Sequence, residues 1–253
     1  SSAGHASTSN ARTGSSSAAS TGGGSSLPGI SSSGPPPPVV VSLAVDPPSA
    51  TVHATGTAVT FPFRARATWS DLSVTEVQAS WALSRAFFGA VALDGTFSPQ
   101  GGGLGVVTAS FNGFTANADV TVYLALYRND ANLTPADQSL LEMPTGPTWG
   151  SLLYPQDGSV FPLGLLPPDV MWTGGSDGDV YRVTLGETYV TTTFDVAAGP
   201  QGPFTLPASA WHSLDESNVG EDVTLGIGRL SGGVAYAPVL ATFRFARARL
   251  GGL

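Results

Sequence analysis

Residues 77–124 constrain the fold more than any other stretch, because alternating segments and tight-turn signals follow one another there. An Asp-Gly pair at 94–95 favours a sharp reversal of the chain. A glycine-rich bend at 101–105 precedes a second alternating segment, which ends at the Asn-Gly pair at 112–113. Asn-Gly between alternating segments is a strong short-range hairpin signal. This order of strands and turns predicts an antiparallel β-sandwich.

The segments on either side continue the same pattern. Apolar residues occupy the odd positions of 39–45 and, within the segment 57–69, the odd positions from 59 onward. The second segment is either one long strand or two strands joined at a Pro62 bulge. The return strand 114–124 carries its apolar residues at even positions. About seven strands in this region, with turns every 8 to 12 residues, are typical of an immunoglobulin-like sandwich.

Residues 39–124 resemble the bacterial Ig-like domains of group 2 (BIG2 type), which occur in intimin-like adhesins and many other surface proteins. The resemblance rests on the opening strand before DPPSATV, on TEVQASW, on DGTFSPQGGGLGVVTASFNG and on the closing ANADVTV. The family's Gly-rich stretch after the first strand is reduced here to residues 55–57. The resemblance implies an exported bacterial protein, and it carries over no catalytic residue.

The segments outside this sandwich have different compositions. Residues 1–38 contain almost only Ser, Gly, Ala, Thr and Pro, which predicts a disordered tether that stiffens at the prolines 35–38. Residues 125–152 form a predicted connector. Within it, Thr134 is a candidate N-cap and Pro135 a first helical residue, which predicts one short helical turn through Leu141.

Residues 153–253 predict a second β-sandwich. The strand at 180–185 reverses at 186–187 into YVTTTFDV, and later strands are expected at 223–227 and 239–247. Trp172 and the strand after it loosely resemble a fibronectin type III or Ig-like arrangement. The opening YPQDGSVFP resembles a module that precedes propeller-type repeats in large myxobacterial surface proteins. The expected fold class is therefore all-β, with two tandem Ig-like β-sandwiches after a disordered Ser/Gly/Pro-rich tail.

Composition excludes several functional classes. The formal charge is -8, with a pI near 4.6, so an acidic surface disfavours nucleic acid and anionic lipid as partners. Cysteine is absent, which removes disulfides, thiolate nucleophiles and Cys-ligated metals. We find no run of about 18 apolar residues, so we expect no transmembrane span.

The loop at 174–179 contains two candidate sites, one for a catalytic serine and one for a metal ion. Residues 174–178 match G-x-S-x-G, but a strand follows where the nucleophile elbow requires a helix, so a non-enzymatic protein is expected. In the same loop, Asp177 and Asp179 could offer carboxylates to Ca²⁺. Two acids are too few for a full site, and an ordinary Asp/Gly turn is the alternative. Beyond that Ca²⁺, no cofactor is predicted.

The five tryptophans raise the question of carbohydrate binding. Trp69 and Trp81 lie on the apolar side of their strands and are expected in the core. Trp149 and Trp211 stand near Gly and Pro in less regular stretches, and they are the candidates for a sugar-stacking platform.

The expected function is that of a non-enzymatic segment of an exported bacterial surface protein, which spaces, presents or adheres. Its expected partners are other domains of the same protein or cell-envelope proteins and glycans. We expect it at the cell surface or outer membrane, lipid-anchored or extracellular. A carbohydrate-binding module and an accessory region of a secreted hydrolase are the alternatives.

Overall fold

The computed structural model describes residues 34–55, 58–217 and 221–246. The chain divides into two units, Ser1–Pro37 and Pro38–Leu253. The predicted tether lies outside the described residues except for 34–38, which are exposed and carry no regular secondary structure. The second unit consists mostly of β-strands in sandwich-like sheets with two short α-helices, which confirms the all-β prediction.

The described strands and helices follow one another along the second unit. In chain order they are β1 Val40–Asp46, β2 Ser49–Ala54, β3 Phe61–Pro62, β4 Arg64–Trp69, β5 Val74–Val77, β6 Ser80–Leu83, a single 3-10 turn Ala86–Phe88, β7 Gly89–Val91, β8 Thr96–Pro99, β9 Gly103–Phe111, β10 Phe114–Asn129, α1 Pro135–Glu142, β11 Ser151–Tyr154, β12 Ser159–Pro162, β13 Asp169–Thr173, β14 Val180–Gly186, β15 Val190–Ala197, β16 Phe204–Thr205, α2 Ala208–Ser217, β17 Asp222–Ser231 and β18 Val234–Ala246.

The hairpin between β9 and β10 confirms the strongest turn prediction. Asn112 and Gly113 both have positive φ, at 48° and 82°, and Phe111 pairs with Phe114 across a two-residue loop. Such a turn needs left-handed backbone at both central positions, which Asn and Gly adopt most readily. Of the two alternatives for residues 57–69, the structure has two strands, because β3 ends at Pro62 and β4 begins at Arg64.

Strand β10 links two halves of the second unit. The first half contains β1 to β9, and the second half contains α1 and the elements from β11 to β18. It pairs with β9 and β2 along its first part, and its last six residues, Leu124–Asn129, pair in parallel with β15. Within the described residues, nine strands thus form one sheet, in the order β12-β18-β17-β14-β15-β10-β9-β6 with β2 also on β10. The strand runs beyond Leu124, where the first sandwich was expected to close, into the predicted connector. The predicted domain boundaries stay a prediction.

The hydrophobic core is also continuous across the two halves. One cluster of mutually packed buried residues extends from Val45 in β1 to Phe245 in β18. Its largest fully buried side chains include Phe63 and Phe97 in the first half and Trp172 and Tyr181 in the second. Side chains packed at such density transmit displacement instead of absorbing it. The core and the sheet therefore couple the two halves.

The glycines at 101–105 do more than bend the chain. A Cβ atom on Gly102 would lie 2.7 Å from the carbonyl oxygen of Tyr189 and 2.5 Å from the side chain of Val190. One on Gly103 would lie 3.2 Å from the carbonyl oxygen of Ser217. Glycine allows the backbone of the first half to approach the second half this closely.

One of the two α-helices was predicted from the sequence and the other was not. Helix α1 confirms the predicted turn: Pro135 stands at its start, and the Thr134 hydroxyl accepts a hydrogen bond from the Asp137 amide at 3.3 Å. Helix α2 was not predicted, because the sequence around Trp211 indicated a less regular stretch near Gly and Pro. Neither helix among the described residues is long and apolar enough to cross a membrane.

The inner face of β1 is shorter than the alternation predicted. Val39 and Val41 are 62% and 47% exposed, while Val45 is 5% exposed. The pairing of β1 with β4 shifts register between Val40 and Ser42. A bulge of this kind rotates the side chains that precede it off the inward face.

Candidate functional site

Trp149 does not form the expected sugar platform, because its ring is buried. It is 5% exposed, and its indole N–H donates to the Ile227 carbonyl at 3.2 Å. The ring packs on Tyr181, with centroids 5.4 Å apart, and the Arg229 guanidinium lies 5.7 Å from its centre. A platform needs an open ring face, and the faces of this ring contact protein.

Trp211 is likewise a core residue. It is 2% exposed, it lies on α2, and its indole N–H donates to the Leu165 carbonyl at 2.8 Å. Its ring packs against Phe161, Phe243 and Phe245, with centroid separations of 4.8–5.5 Å. The sequence interpretation was wrong because the helix that buries this tryptophan was missed.

Asp179 forms an ion pair with Arg229 and does not share a cation site with Asp177. Its Oδ2 accepts from Arg229 Nε at 2.6 Å and from the Ser176 amide at 2.7 Å. Burial opposes ionisation of Asp179, but hydrogen bonds from Ser231 and Arg229 outweigh it and lower its pKa below the ordinary value. Asp177 is exposed at the turn before Gly178. Asp179 therefore belongs to a buried ion pair, and the structure does not bring Asp177 and Asp179 together as calcium ligands.

A second buried ion pair was not anticipated. Arg182 on β14 binds Asp195 on β15 through two hydrogen bonds, of 2.7 and 2.8 Å, and their side chains are 11% and 0% exposed. The Tyr127 hydroxyl donates to the same carboxylate at 2.6 Å. Burial, followed by that hydrogen bond, raises the pKa of Tyr127 to about 12.

A cleft of about 360 Å³ lies on the large sheet beside α1. Its floor includes Gly226 and Gly228 of β17, and its walls include Leu141, Pro238 and Leu240. Arg182 is the charged residue of its lining, and that guanidinium is bound to Asp195. The lining therefore offers space for an apolar group but no free acid, base or nucleophile other than threonine hydroxyls.

Three ionisable side chains that the sequence did not mark as a metal site converge on α2. His212, Asp215 and Glu216 bring their nitrogen and oxygen ligand atoms within 4.8 Å of one another. Asp215 is buried, and burial raises its pKa above the ordinary value, while the Gly164 amide donates to its Oδ2 at 3.2 Å. A pocket of about 240 Å³ adjoins the cluster, lined in part by Leu165 and Leu166. The H-x-x-D-E spacing was the available signal, and it becomes visible only once residues 208–217 are recognised as helical.

No protein-family model and no curated protein matches the chain. Among solved structures, the chain is similar to the fibronectin(III)-like modules of CbhA from Clostridium thermocellum, at 13% identity and a TM-score of 0.28, over 83% of this chain and 97% of that one. It is also similar to a tandem of titin Ig domains, at 9% identity and a TM-score of 0.24, over 83% of this chain and 97% of the other. For domains 5-6 of the S-layer protein SbsC the identity is 13% and the TM-score 0.28, over 83% and 99% of the two chains. Similarities at these scores carry no argument about the function of this chain.

Proposed function

We propose that this protein is a non-enzymatic segment of an exported surface protein, and that it acts as a stiff spacer that presents or attaches other domains. The observation that carries the proposal is the path of β10, whose hydrogen bonds join β9 and β2 to β15. A spacer must resist bending between its two ends. One continuous sheet over one continuous core meets that need, whereas two sandwiches joined by a bare linker would hinge.

The disposition of the buried charges supports a structural role. Asp179 and Asp195 are each held by an arginine, and their carboxylates are 3% and 0% exposed. Carboxylates paired and buried in this way are neutralised within the protein and do not present reactive groups to solvent. The cleft on the large sheet adds no general acid or base to these pairs.

Force spectroscopy on the full chain tests the proposal. Pulled from its two ends, the unit from Pro38 to Leu253 should unfold in one event. That event should release about 700 Å of extended chain, at roughly 3.3 Å per residue. A spacer made of two independent modules would instead give two shorter releases at separate forces, and that record would contradict the proposal.

A second measurement addresses the non-enzymatic part. The purified chain should show no turnover on a panel of glycoside, ester and peptide substrates above the rate of the same protein unfolded in denaturant. Turnover that disappears with a substitution at a single described residue would overturn this part of the proposal and leave the mechanical part to the pulling experiment.

A further inference from the structure

One face of α2 carries three side chains at the spacing i, i+3 and i+4. Residues at these spacings are neighbours on a helix surface, so His212, Asp215 and Glu216 project to the same side. The imidazole and one oxygen from each carboxylate lie within 4.8 Å of one another. An imidazole nitrogen and two carboxylate oxygens are a donor set that divalent transition metals accept.

The state of Asp215 is the observation that points to a ligand. Its side chain is 4% exposed, and no group among the described residues donates a well-aligned hydrogen bond to its Oδ1. That oxygen lies 3.2 Å from Nδ1 of His212, so it faces the cluster and not the core. A buried carboxylate oxygen without a partner carries a large desolvation penalty. A cation bound at the cluster would remove that penalty.

Arg85 and Phe87 lie next to the three candidate ligands. The guanidinium of Arg85 donates to the backbone carbonyls of Glu216 and Leu104. The ring of Phe87 packs edge-on against the imidazole of His212, with centroids 5.8 Å apart. A ring held in this way loses little freedom when it binds a metal.

We propose that His212, Asp215 and Glu216 bind one first-row divalent ion of the Zn²⁺ type. Imidazole favours Zn²⁺ over the hard cations Ca²⁺ and Mg²⁺, which select oxygen ligands. Three protein ligands leave one position of a tetrahedral ion for water or for a group from a partner. The neighbouring pocket, lined by Leu165 and Leu166, lies beside that position. The site is independent of the two calcium candidates at 177 and 179.

The experiment is a calorimetric titration of the full, metal-free chain with Zn²⁺ alone, repeated with Ca²⁺. We expect one Zn²⁺ per chain and no saturable Ca²⁺ binding. His212→Gln and Glu216→Gln remove exposed ligands and should each weaken Zn²⁺ affinity about tenfold or more, since even outer partners of metal ligands are worth 10- to 100-fold. His53→Gln and His5→Gln remove the other two histidines of the chain and should leave the affinity unchanged.

Three results would overturn the assignment: no saturable Zn²⁺ binding, a His212→Gln variant that binds Zn²⁺ as tightly as the parent chain, or a His5→Gln variant that loses Zn²⁺ binding. Asp215→Asn provides a check that does not depend on the exposed ligands. It should abolish Zn²⁺ binding while the metal-free variant remains as stable as the metal-free parent chain or more so, because the amide removes a carboxylate whose charge burial disfavours. Failure of the metal site would leave the single unfolding event under force unaffected, so the two proposals fail separately.

Discussion

Arg182 and Asp195 face each other as directly paired residues of β14 and β15, and the Arg182 guanidinium donates two hydrogen bonds, of 2.7 and 2.8 Å, to the Asp195 carboxylate. Their pairing places a charge pair inside the sheet that joins the two halves. Arg182 also donates to the Gln138 carbonyl at 3.2 Å, which ties α1 to the same point.

Removing one partner of this pair should destabilise the fold strongly. Asp195→Ala leaves a guanidinium that is 11% exposed without its counter-charge, and we expect a loss of about 3–5 kcal/mol in the free energy of unfolding. Glu76→Ala breaks the ion pair of Arg64 with Glu76, whose side chains are 57% and 55% exposed, and should change stability by about 1 kcal/mol or less. Urea denaturation of both variants measures the difference. Equal losses would contradict the structural role given to the buried pair.

The Arg229–Asp179 pair should make stability depend on acid pH. The pKa of Asp179 is lowered in the folded state, so its contribution is fully present above the unfolded value of 3.8 and is lost as the pH falls through the folded pKa. Asp179→Asn should therefore reduce the loss of folding free energy that the parent chain shows as the pH falls below 3.8. Asp177→Asn, two residues away and exposed, serves as the control and should leave that acid-dependent loss unchanged.

The tryptophans expected to bind sugar should instead behave as core residues. Trp211→Ala removes a buried ring from a cluster of three phenylalanines and should cost about 3–5 kcal/mol of stability. Tyr154→Ala, at a ring that is 41% exposed on the edge of the same cluster, should cost less. Thermal unfolding followed by near-ultraviolet circular dichroism gives both values. A folded Trp211→Ala protein of parental stability would mean that this ring is not in the core.

The close approach at Gly102 should be sensitive to one methyl group. Its Cβ position lies 2.7 Å from the Tyr189 carbonyl oxygen, so Gly102→Ala forces the two halves apart and should cost about 1–3 kcal/mol. Gly186→Ala is the matched control, because the nearest atom to its Cβ position is 3.8 Å away. Both changes replace glycine by alanine, so a difference between them measures the contact between the halves. A Gly102→Ala stability equal to that of Gly186→Ala would contradict the contact.

Local chemistry made much of the fold predictable. Asn112-Gly113 encodes its turn through the positive φ that both residues tolerate, and Thr134 with Pro135 encodes the start of α1. These signals operate within a few residues, so a single sequence contains all the information they need.

Long-range features were not predictable in the same way. The parallel pairing of Leu124–Asn129 with β15 joins segments more than sixty residues apart, and no local pattern specifies it. Helix α2 was missed because its buried apolar residues, Ala210, Trp211 and Leu214, form only a short stripe in a chain dominated by strand-like alternation. Missing α2 hid both the burial of Trp211 and the cluster at His212.

The ion pair between Arg182 and Asp195 was predictable only in part. The reversal expected at 186–187 already implied that β14 and β15 form a hairpin, and the pairing of Arg182 with Asp195 follows once the exact register is known. A shift of one residue would place these side chains on opposite faces of the sheet. The sequence predicts the hairpin, but it does not determine the register on which the pair depends.

Native-state hydrogen exchange tests the central claim, that the two halves form one cooperative unit, most directly. The amides of Val107 in β9, Val122 in β10 and Leu185 in β14 belong to fully or almost fully buried residues of the common core. The account predicts that all three exchange only through global unfolding, with the same opening free energy and the same dependence on denaturant. If Leu185 and Val107 open with clearly different free energies, the halves unfold independently and the account is contradicted.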